Sequence, residues 1–146
     1  MTTVQQILKE KSAETWTICP RATVYEALEL MAKKQIGALP VVDNGKLVGM
    51  FSERDYARKV VLVGRTSKTT SVAELMTAKV FYVRPESTVE ECMALMTDKR
   101  IRHLPVLEND KLVGVVSIGD IVKAVIVDQE ITIRSLKNYI TGSYEA

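Results

Sequence analysis

The stretch Gly49-Met50-Phe51-Ser52-Glu53-Arg54-Asp55 returns 65 residues later as Gly114-Val115-Val116-Ser117-Ile118-Gly119-Asp120. Around these two stretches, residues 17–61 align with residues 82–126 at the same offset, without a gap over 45 positions and with 19 identities. Residues 4–8 also match residues 72–76, but at an offset of 68, which predicts a longer loop at about residues 9–14. An internal duplication is therefore the first feature to explain.

Each copy predicts the same order of elements, β-α-β-β-α. Thr23 and Thr88 each stand three residues before a glutamate, which is the capping-box pattern that opens a helix. Asp43-Asn44-Gly45 between two apolar runs predicts a hairpin, because Asn-Gly tolerates the positive φ of a tight turn. A unit of about 60 residues buries too little surface to be comfortably stable alone, so we expect the two units to pack through their sheets. The predicted strands cover residues 16–19, 38–42 and 47–51, then 81–84, 103–107 and 112–116.

The predicted fold class is α/β, more narrowly α+β, with two β-α-β-β-α repeats packed as one pseudo-two-fold module. We predict a first repeat over residues 1–63 (core 17–61), a polar linker over 64–71, and a second repeat over 72–127 (core 82–126). Residues 128–146 form a C-terminal helix and tail. Residues 129–140 place Ile133, Leu136, Tyr139 and Ile140 on one face, which predicts a helix that docks on the module or on a second copy.

Composition excludes several classes of protein. The chain has 146 residues with 20 Lys and Arg against 18 Asp and Glu, which argues against a nucleic-acid binder because such binding needs concentrated positive charge. No apolar run approaches the roughly 18 residues of a membrane span, and residues 1–11 contain no apolar signal core. Two distant cysteines and a single histidine predict neither a disulfide framework nor a zinc site. We therefore expect a cytoplasmic location.

The repeated Ser-x-x-Asp is the first candidate site. It follows a predicted strand and opens a helix, whose first N–H groups favour an anion such as a phosphate. The carboxylates of Asp55 and Asp120 could also accept hydrogen bonds from two neighbouring ribose hydroxyls. A plain helix cap explains the same residues, because Ser at the cap and Asp in the first turn stabilise any helix. The residues by themselves leave both interpretations open.

The second candidate site is Ile36-Gly37-Ala38-Leu39-Pro40, which aligns with Ile101-Arg102-His103-Leu104-Pro105. A proline within a predicted strand places that strand at an edge or beside an opening. Gly37 and Ala38 leave space there, whereas Arg102 and His103 are two neighbouring groups that could hold a phosphate. The alternative is a solvated polar pair at the start of a strand.

Taken together, these motifs resemble the CBS domain, named after cystathionine β-synthase, and the chain resembles a stand-alone bacterial protein with two such domains. The resemblance rests on the order, spacing and duplication of the motifs from residue 4 to about residue 127. It implies two clefts between the repeats that bind an adenosine-containing ligand: AMP, ADP, ATP, NAD or S-adenosylmethionine. In the family pattern the Asp holds the ribose, and residues of the opposite repeat flank the base or reach the phosphates.

Carried onto this sequence residue by residue, the resemblance implies two sets of binding residues. The first set is Met50, Ser52, Arg54, Asp55, Lys79, Phe81, Ile101, Arg102 and His103. The second set is Val115, Ser117, Gly119, Asp120, Trp16, Ile36, Gly37 and Ala38.

The two implied sites should differ in charge. Arg54, Arg102 and His103 lie at the Asp55 site, whereas the aligned positions of the Asp120 site are Gly119, Gly37 and Ala38. We therefore predict that the Asp55 site prefers the more anionic ligand, with an affinity that falls between pH 6 and 8 if His103 binds phosphate as a cation. Trp16 is expected either to stack on a base or to pack as a half-buried side chain.

The predicted function is that of a non-catalytic nucleotide sensor. No arrangement of nucleophile, base and metal ligands, no Walker loop and no Gly-x-Gly-x-x-Gly is present, so no catalytic cofactor is expected. Ligand binding would shift a conformational or oligomeric equilibrium, in a homodimer that acts on a separate target protein. The alternative is a protein-docking module with vestigial ligand sites. Binding to RNA or DNA finds little support.

Overall fold

Two antiparallel hairpins organise the fold, one from each repeat. The computed structural model describes residues 2–11 and 14–142. Its strands are β1 (Ala38–Asp43), β2 (Lys46–Ser52), β3 (His103–Glu108) and β4 (Lys111–Ser117). Its helices are α1 (Val4–Lys11), α2 (Val24–Lys34), α3 (Glu53–Tyr56), α4 (Val72–Leu75), α5 (Val89–Lys99) and α6 (Ile118–Thr141), and a π-helical segment (Ala57–Val61) follows α3.

The hairpin turns form as the sequence predicts. β1 pairs with β2 and β3 with β4, and β2 contacts β4 across the pseudo-two-fold. Asn44 and Gly45 adopt φ values of 51° and 78°, and Asn109 and Asp110 adopt 50° and 62°. These positive values are the conformation that tight hairpins require and that Asn, Asp and Gly tolerate best. The α+β fold class is confirmed.

The predicted strands at residues 16–19 and 81–84 do not form. Each reduces to one parallel bridge, Ile18 to Val41 in the first repeat and Val83 to Val106 in the second. Pro20 and Pro85 follow two residues later, and a proline has no N–H with which to extend a ladder.

The predicted helix over residues 129–140 forms as the continuation of α6, which runs unbroken for 24 residues from Ile118. No glycine or proline occurs between residues 121 and 140 to end it. The aligned helix of the first repeat is short instead, since α3 has four residues and gives way to the π-helical segment.

The two repeats exchange their first helices. The backbone N–H of Val4, which begins α1, donates to Ser87 O at 2.8 Å, and the N–H of Val72, which begins α4, donates to Ala22 O at 2.8 Å. Each packed core therefore contains residues from both repeats. The core of the first hairpin consists of Ala22, Val24, Ala27, Met31, Leu39, Val41, Phe51, Val60, Val72 and Leu75. The core of the second consists of Val4, Ile7, Val83, Val89, Cys92, Met96, Leu104, Val106, Val116 and Ile121.

Close approach to a glycine fixes each exchanged helix against its hairpin. A Cβ on Gly49 would lie 2.6 Å from Met76 Sδ, and a Cβ on Gly114 would lie 2.7 Å from Leu8 Cδ2. Both distances are too short for real atoms, so only a glycine lets the strand approach Met76 or Leu8 this closely. This contact sets the distance between each Ser-x-x-Asp and the segment that faces it.

Candidate functional site

Two cavities of nearly equal size lie between the repeats, each beside one of the repeated aspartates. The Asp55 pocket has a volume of about 460 Å³ and the Asp120 pocket about 450 Å³. The Asp55 pocket is lined by Met50, Ser52, Glu53, Arg54, Asp55, Arg58, Lys59, Thr77, Lys79, Val80, Phe81, Lys99, Arg100, Ile101 and Arg102. The Asp120 pocket is lined by Leu8, Lys11, Glu14, Thr15, Trp16, Lys34, Gln35, Ile36, Pro40, Val113, Gly114, Val115, Ser117 and Asp120. Gly37, Ala38 and His103 line both.

Asp55 stands at the junction of β2 and α3 with its two carboxylate oxygens in different roles. Oδ2 accepts from the Ser52 N–H at 3.0 Å and from the Ser52 hydroxyl at 3.1 Å, which completes a capping box. Oδ1 lies 3.2 Å from Lys59 Nζ and 3.4 Å from Thr77 Oγ1. A carboxylate oxygen can accept more than one hydrogen bond. Capping and ligand binding are therefore compatible at this residue.

Positive charge dominates the Asp55 pocket. Among the described lining residues, seven lysines and arginines face two carboxylates, those of Glu53 and Asp55. Arg54 is held across the repeat boundary, because its Nη1 donates to Arg100 O at 2.9 Å, just beyond the end of α5. A cavity with this excess of cations attracts an anion with several charges.

An aromatic ring under a lysine recurs in both pockets. Lys34 Nζ lies 4.0 Å from the ring centroid of Trp16, and Lys99 Nζ lies 5.0 Å from that of Phe81. The lysines occupy aligned positions, as do the rings. Each pair is a cation–π contact. Trp16 is half-buried with one face under Lys34, so a base could stack there only if the lysine moved.

Asp120 repeats the capping box and adds an ion pair. Its Oδ2 accepts from the Ser117 N–H at 2.8 Å and from Lys11 Nζ at 2.9 Å. Burial by itself would raise the pKa of Asp120, but the Ser117 hydrogen bonds and the Lys11 charge outweigh burial and lower it. Two cations, Lys11 and Lys34, also line this pocket. They only balance Asp120 and Glu14, so the Asp55 pocket is still the more positive.

His103 lies between the two pockets and packs against Gly37. A Cβ on Gly37 would lie 3.3 Å from His103 Cε1. Burial, together with the Lys11 and Arg102 charges, lowers the pKa of His103 below 6.5, although Glu53 and Asp120 act in the opposite direction. The imidazole is then neutral at pH 7 in the free protein. His103 would therefore have to take up a proton in order to bind a phosphate as a cation.

The structure brings together all but one of the residues that the sequence singled out. Gly119 lines neither pocket; it aligns with Arg54 but has no side chain to reach across. Sequence reasoning missed Thr77, Lys59 and Lys11 as neighbours of the two aspartates. The offset of 68 aligns Lys11 with Lys79, so the earlier repeat segment contained a signal for Lys11. The signal for Lys59 was its position four residues after Asp55, which is the spacing of an ion pair along a helix.

A family model described as the CBS domain matches residues 4–62 and again residues 72–127. The chain belongs to the CBS-domain family. Tandem CBS domains are commonly regulatory modules that bind a ligand, and CBS domains generally bind adenosine-containing molecules.

Named relatives share the paired CBS domains. The chain is 43% identical over 152 residues to CBSX3, a mitochondrial CBS domain-containing protein of Arabidopsis thaliana, covering 98% of this chain and 74% of the relative. A CBS-domain protein from Burkholderia ambifaria has a similar structure, with a TM-score of 0.83 and 56% identity over 88% of this chain and 96% of that one. The hexameric CBS-CP12 protein from bloom-forming cyanobacteria has a TM-score of 0.75 and 32% identity, covering 83% and 70%.

Two absences apply to the described part of the chain. Over residues 2–11 and 14–142, no helix is long and apolar enough to cross a membrane. Over the same residues, no three His, Cys, Asp or Glu side chains converge in a way that could hold a metal ion.

Proposed function

We propose that this CBS-domain protein is a regulatory module that binds an adenine nucleotide in the Asp55 pocket. The observation behind the proposal is the combination, in one cavity, of a carboxylate at its floor, an apolar wall and an excess of cations. A nucleotide has three parts that match these features: a ribose diol for the carboxylate, a flat base for the apolar wall and a chain of phosphates for the cations.

Each part of the nucleotide has a counterpart among the lining residues. Asp55 Oδ1 would accept from the ribose hydroxyls, in place of the 3.4 Å contact from Thr77 or beside it. Phe81 and Ile101 provide an apolar surface for the base. Arg102 and Arg54 would hold the phosphates, since a guanidinium binds phosphate with two parallel hydrogen bonds.

The Asp120 pocket suits a less anionic ligand, such as adenosine monophosphate or the nucleoside part of a larger molecule. Its cations and carboxylates balance, and Lys11 already occupies one oxygen of Asp120 at 2.9 Å. Because Lys11 and the Ser117 N–H both contact Oδ2, a ribose at Asp120 would bind Oδ1 or displace the lysine. We therefore propose that ATP or ADP prefers the Asp55 pocket. NAD and S-adenosylmethionine are further candidate ligands.

We propose a non-catalytic role, in which ligand binding between the repeats favours one arrangement of the module. The effect would pass to a separate target protein, and the working form would be a homodimer. The hexameric CBS-CP12 protein shows that a similar pair of CBS domains can assemble into an oligomer. The cytoplasmic location stays a prediction, and the relative CBSX3 is a mitochondrial protein by name.

A thermal-shift panel tests the proposal with AMP, ADP, ATP, NAD, S-adenosylmethionine and GTP. A ligand at 100 times its Kd stabilises the folded state by about 2.7 kcal/mol, which raises the Tm of a domain this size by roughly 5–11 °C. The variant Asp55→Ala/Asp120→Ala should lose this rise relative to its own ligand-free Tm. Asp110→Asn is the matched control, because Asp110 lies in the exposed turn between β3 and β4 and lines neither pocket.

One observation favours the alternative, a protein-docking module with vestigial sites. Both aspartates are already engaged by their own serine and by a lysine at 3.2 Å or 2.9 Å. If no ligand raises the Tm of the wild type, these contacts are structural, and the docking module becomes the better description. A rise with GTP equal to that with ATP would contradict recognition of adenine.

A further inference from the structure

The Asp55 pocket has more positive charge than the chain itself neutralises. Seven lysines and arginines line it against two carboxylates, those of Glu53 and Asp55. Outside the lining, Asp98 pairs with Lys99 at 3.3 Å, which leaves an excess of four positive charges. Over residues 2–11 and 14–142, no carboxylate lies within ion-pair distance of the side chains of Arg54, Arg58, Lys79, Arg100 or Arg102.

These unpaired cations come from several segments of the chain. Arg54 and Arg58 belong to α3 and the π-helical segment, Lys79 precedes Phe81, and Arg100 and Arg102 lie in the connection between α5 and β3. A chain of phosphates that enters the cavity would therefore meet cations from both repeats. Guanidinium groups bind phosphate oxygens with two parallel hydrogen bonds. The pocket thus has the groups that neutralise a triphosphate without a metal ion.

The same pocket is a poor site for magnesium. Proteins usually hold the magnesium ion of a nucleotide through one or two carboxylates in addition to the phosphates. Both oxygens of Asp55 are engaged, Oδ2 with the Ser52 N–H at 3.0 Å and Oδ1 with Lys59 Nζ at 3.2 Å. Glu53 has the one other carboxylate among the described lining residues. A magnesium ion in this cavity would meet that carboxylate and several cations that repel it.

We propose that the Asp55 pocket binds ATP free of magnesium, with the lysines and arginines of the pocket in the place of the metal ion on the phosphates. The proposal rests on the proposed function and names the ionic form of the ligand. Free ATP has about four negative charges at neutral pH and its magnesium complex about two, because the ion adds two positive charges. A pocket with an excess of cations attracts the free form more strongly. Magnesium then opposes ATP binding, and the module responds to the ATP that magnesium has not bound.

The Asp120 pocket provides a contrast within the same chain. Lys11 and Lys34 balance Asp120 and Glu14 there, so a ligand in this pocket meets no net charge from them. AMP, the nucleotide that suits this pocket, holds magnesium weakly because it has a single phosphate group. We therefore expect magnesium to leave AMP binding unchanged, which makes AMP the control ligand.

The test compares the affinity of the full chain for ATP with and without magnesium, measured by isothermal titration calorimetry. One series contains EDTA and the other contains magnesium chloride in excess over ATP, and potassium chloride brings both to the same ionic strength. The Kd of ATP should rise by about tenfold or more with magnesium, because the complex has fewer charge-assisted contacts with the pocket. The Kd of AMP should not change. Magnesium chloride titrated alone should give no heat of binding.

Substitutions test whether the cations of the pocket cause the effect. Arg58→Gln/Arg100→Gln removes two of these cations and should reduce the effect of magnesium to about threefold. Glutamine fits at position 100, because Gln35 occupies the aligned position with a φ of 56° against 55°. The bond from Arg54 uses the carbonyl of Arg100 and does not need its side chain. Arg84→Gln is the matched control, since Arg84 is exposed, lines neither pocket and should leave the effect unchanged.

The outcomes distinguish this proposal from the proposed function. Equal affinity for ATP in both series would overturn the proposal and leave nucleotide binding in place. Tighter binding with magnesium that Glu53→Gln abolishes would overturn it in favour of a metal complex held by Glu53. A magnesium effect that is undiminished in Arg58→Gln/Arg100→Gln would also overturn it, because the cations would then not be its cause. Absence of nucleotide binding in either series would overturn the proposed function, and this proposal with it.

Discussion

The Asp55 and Asp120 pockets have the same construction but differ in charge, since the first is strongly positive and the charges of the second balance. Each has a Ser-x-x-Asp capping box, a hairpin glycine that admits the facing segment, and an aromatic ring under a lysine. Their volumes, about 460 and 450 Å³, are nearly equal. The difference comes from a few aligned positions, because Arg54 and Arg102 at one pocket are Gly119 and Gly37 at the other.

This comparison separates what builds a cavity from what selects its ligand. Glycines, prolines and helix caps set the backbone geometry, and they recur in both repeats. Long cationic side chains extend from that backbone without altering it, so they can differ between the repeats at little structural cost. We therefore expect two ligand preferences on one duplicated scaffold.

The largest expected effect distinguishes the two aspartates. Asp55→Ala should weaken ATP binding by about 10–100-fold, because it removes charge-assisted hydrogen bonds to the ligand. Asp120→Ala should change ATP affinity by less than about threefold, although it removes the same kind of cap and so costs similar stability. Isothermal titration calorimetry measures both variants. Equal losses of ATP affinity in the two variants would contradict the proposed difference in ligand preference between the two pockets.

The next effect concerns the construction that the pockets share. Gly49→Ala and Gly114→Ala should each lower the free energy of unfolding by about 1–3 kcal/mol, because the new Cβ overlaps Met76 or Leu8. Gly49→Ala should cost more, because its Cβ would also lie 3.1 Å from Thr77 O, a backbone atom. Urea denaturation gives both values. No loss in either variant would mean that the exchanged helices tolerate displacement.

A smaller effect tests the origin of the charge difference. Arg102→Ala should weaken ATP binding by about 5–10-fold and AMP binding by about twofold, because ATP has more phosphate charge for the guanidinium to bind. Lys34→Ala, in the Asp120 pocket, is the control and should leave the ATP affinity unchanged. An equal loss for AMP and ATP in Arg102→Ala would place Arg102 away from the outer phosphates.

The smallest effect lies at His103, where the two pockets meet. Because burial lowers the pKa of His103 in the folded protein, the unfolded chain binds a proton first as the pH falls. Stability should therefore decrease as the pH is lowered through 6.5, and His103→Gln should remove that part of the decrease. Thermal unfolding between pH 5 and 7.5 compares the two proteins. A wild type that gains stability relative to His103→Gln on acidification would contradict the lowered pKa.

Most of the fold was accessible from local patterns. The capping residues Thr23 and Thr88 accept from the N–H three residues later as predicted, and the hairpin turns adopt the positive φ that their Asn, Asp and Gly residues suggest. The predicted strands before Pro20 and Pro85 failed, because a single bridge needs no periodic pattern and a proline prevents a longer ladder. The C-terminal helix continues the last helix of the second repeat, because nothing in α6 interrupts it.

The candidate site, like the fold, was predictable only in part from the sequence. The duplication pointed to the two aspartates, the resemblance to the CBS domain implied the residues of the opposite repeat, and the aligned positions then predicted the difference in charge. Three contacts were out of reach of any local pattern: Lys11 on Asp120, the bond from Arg54 to Arg100, and the position of His103 against Gly37. Each of these contacts joins two segments that are far apart in the chain.

The sequence by itself determined the number of repeats, the hairpins, the helices α2 and α5 with their capping residues, and the two Ser-x-x-Asp motifs, because these depend on neighbours within a few residues or on the duplication. The tertiary structure decided which hairpin each first helix covers, which lysine reaches which aspartate, and how burial lowers the pKa of His103. It also showed that several apolar residues of α6 are exposed, namely Ile118, Val122, Ile126, Ile133, Leu136 and Ile140. These depend on distances between segments that only the packed chain brings together.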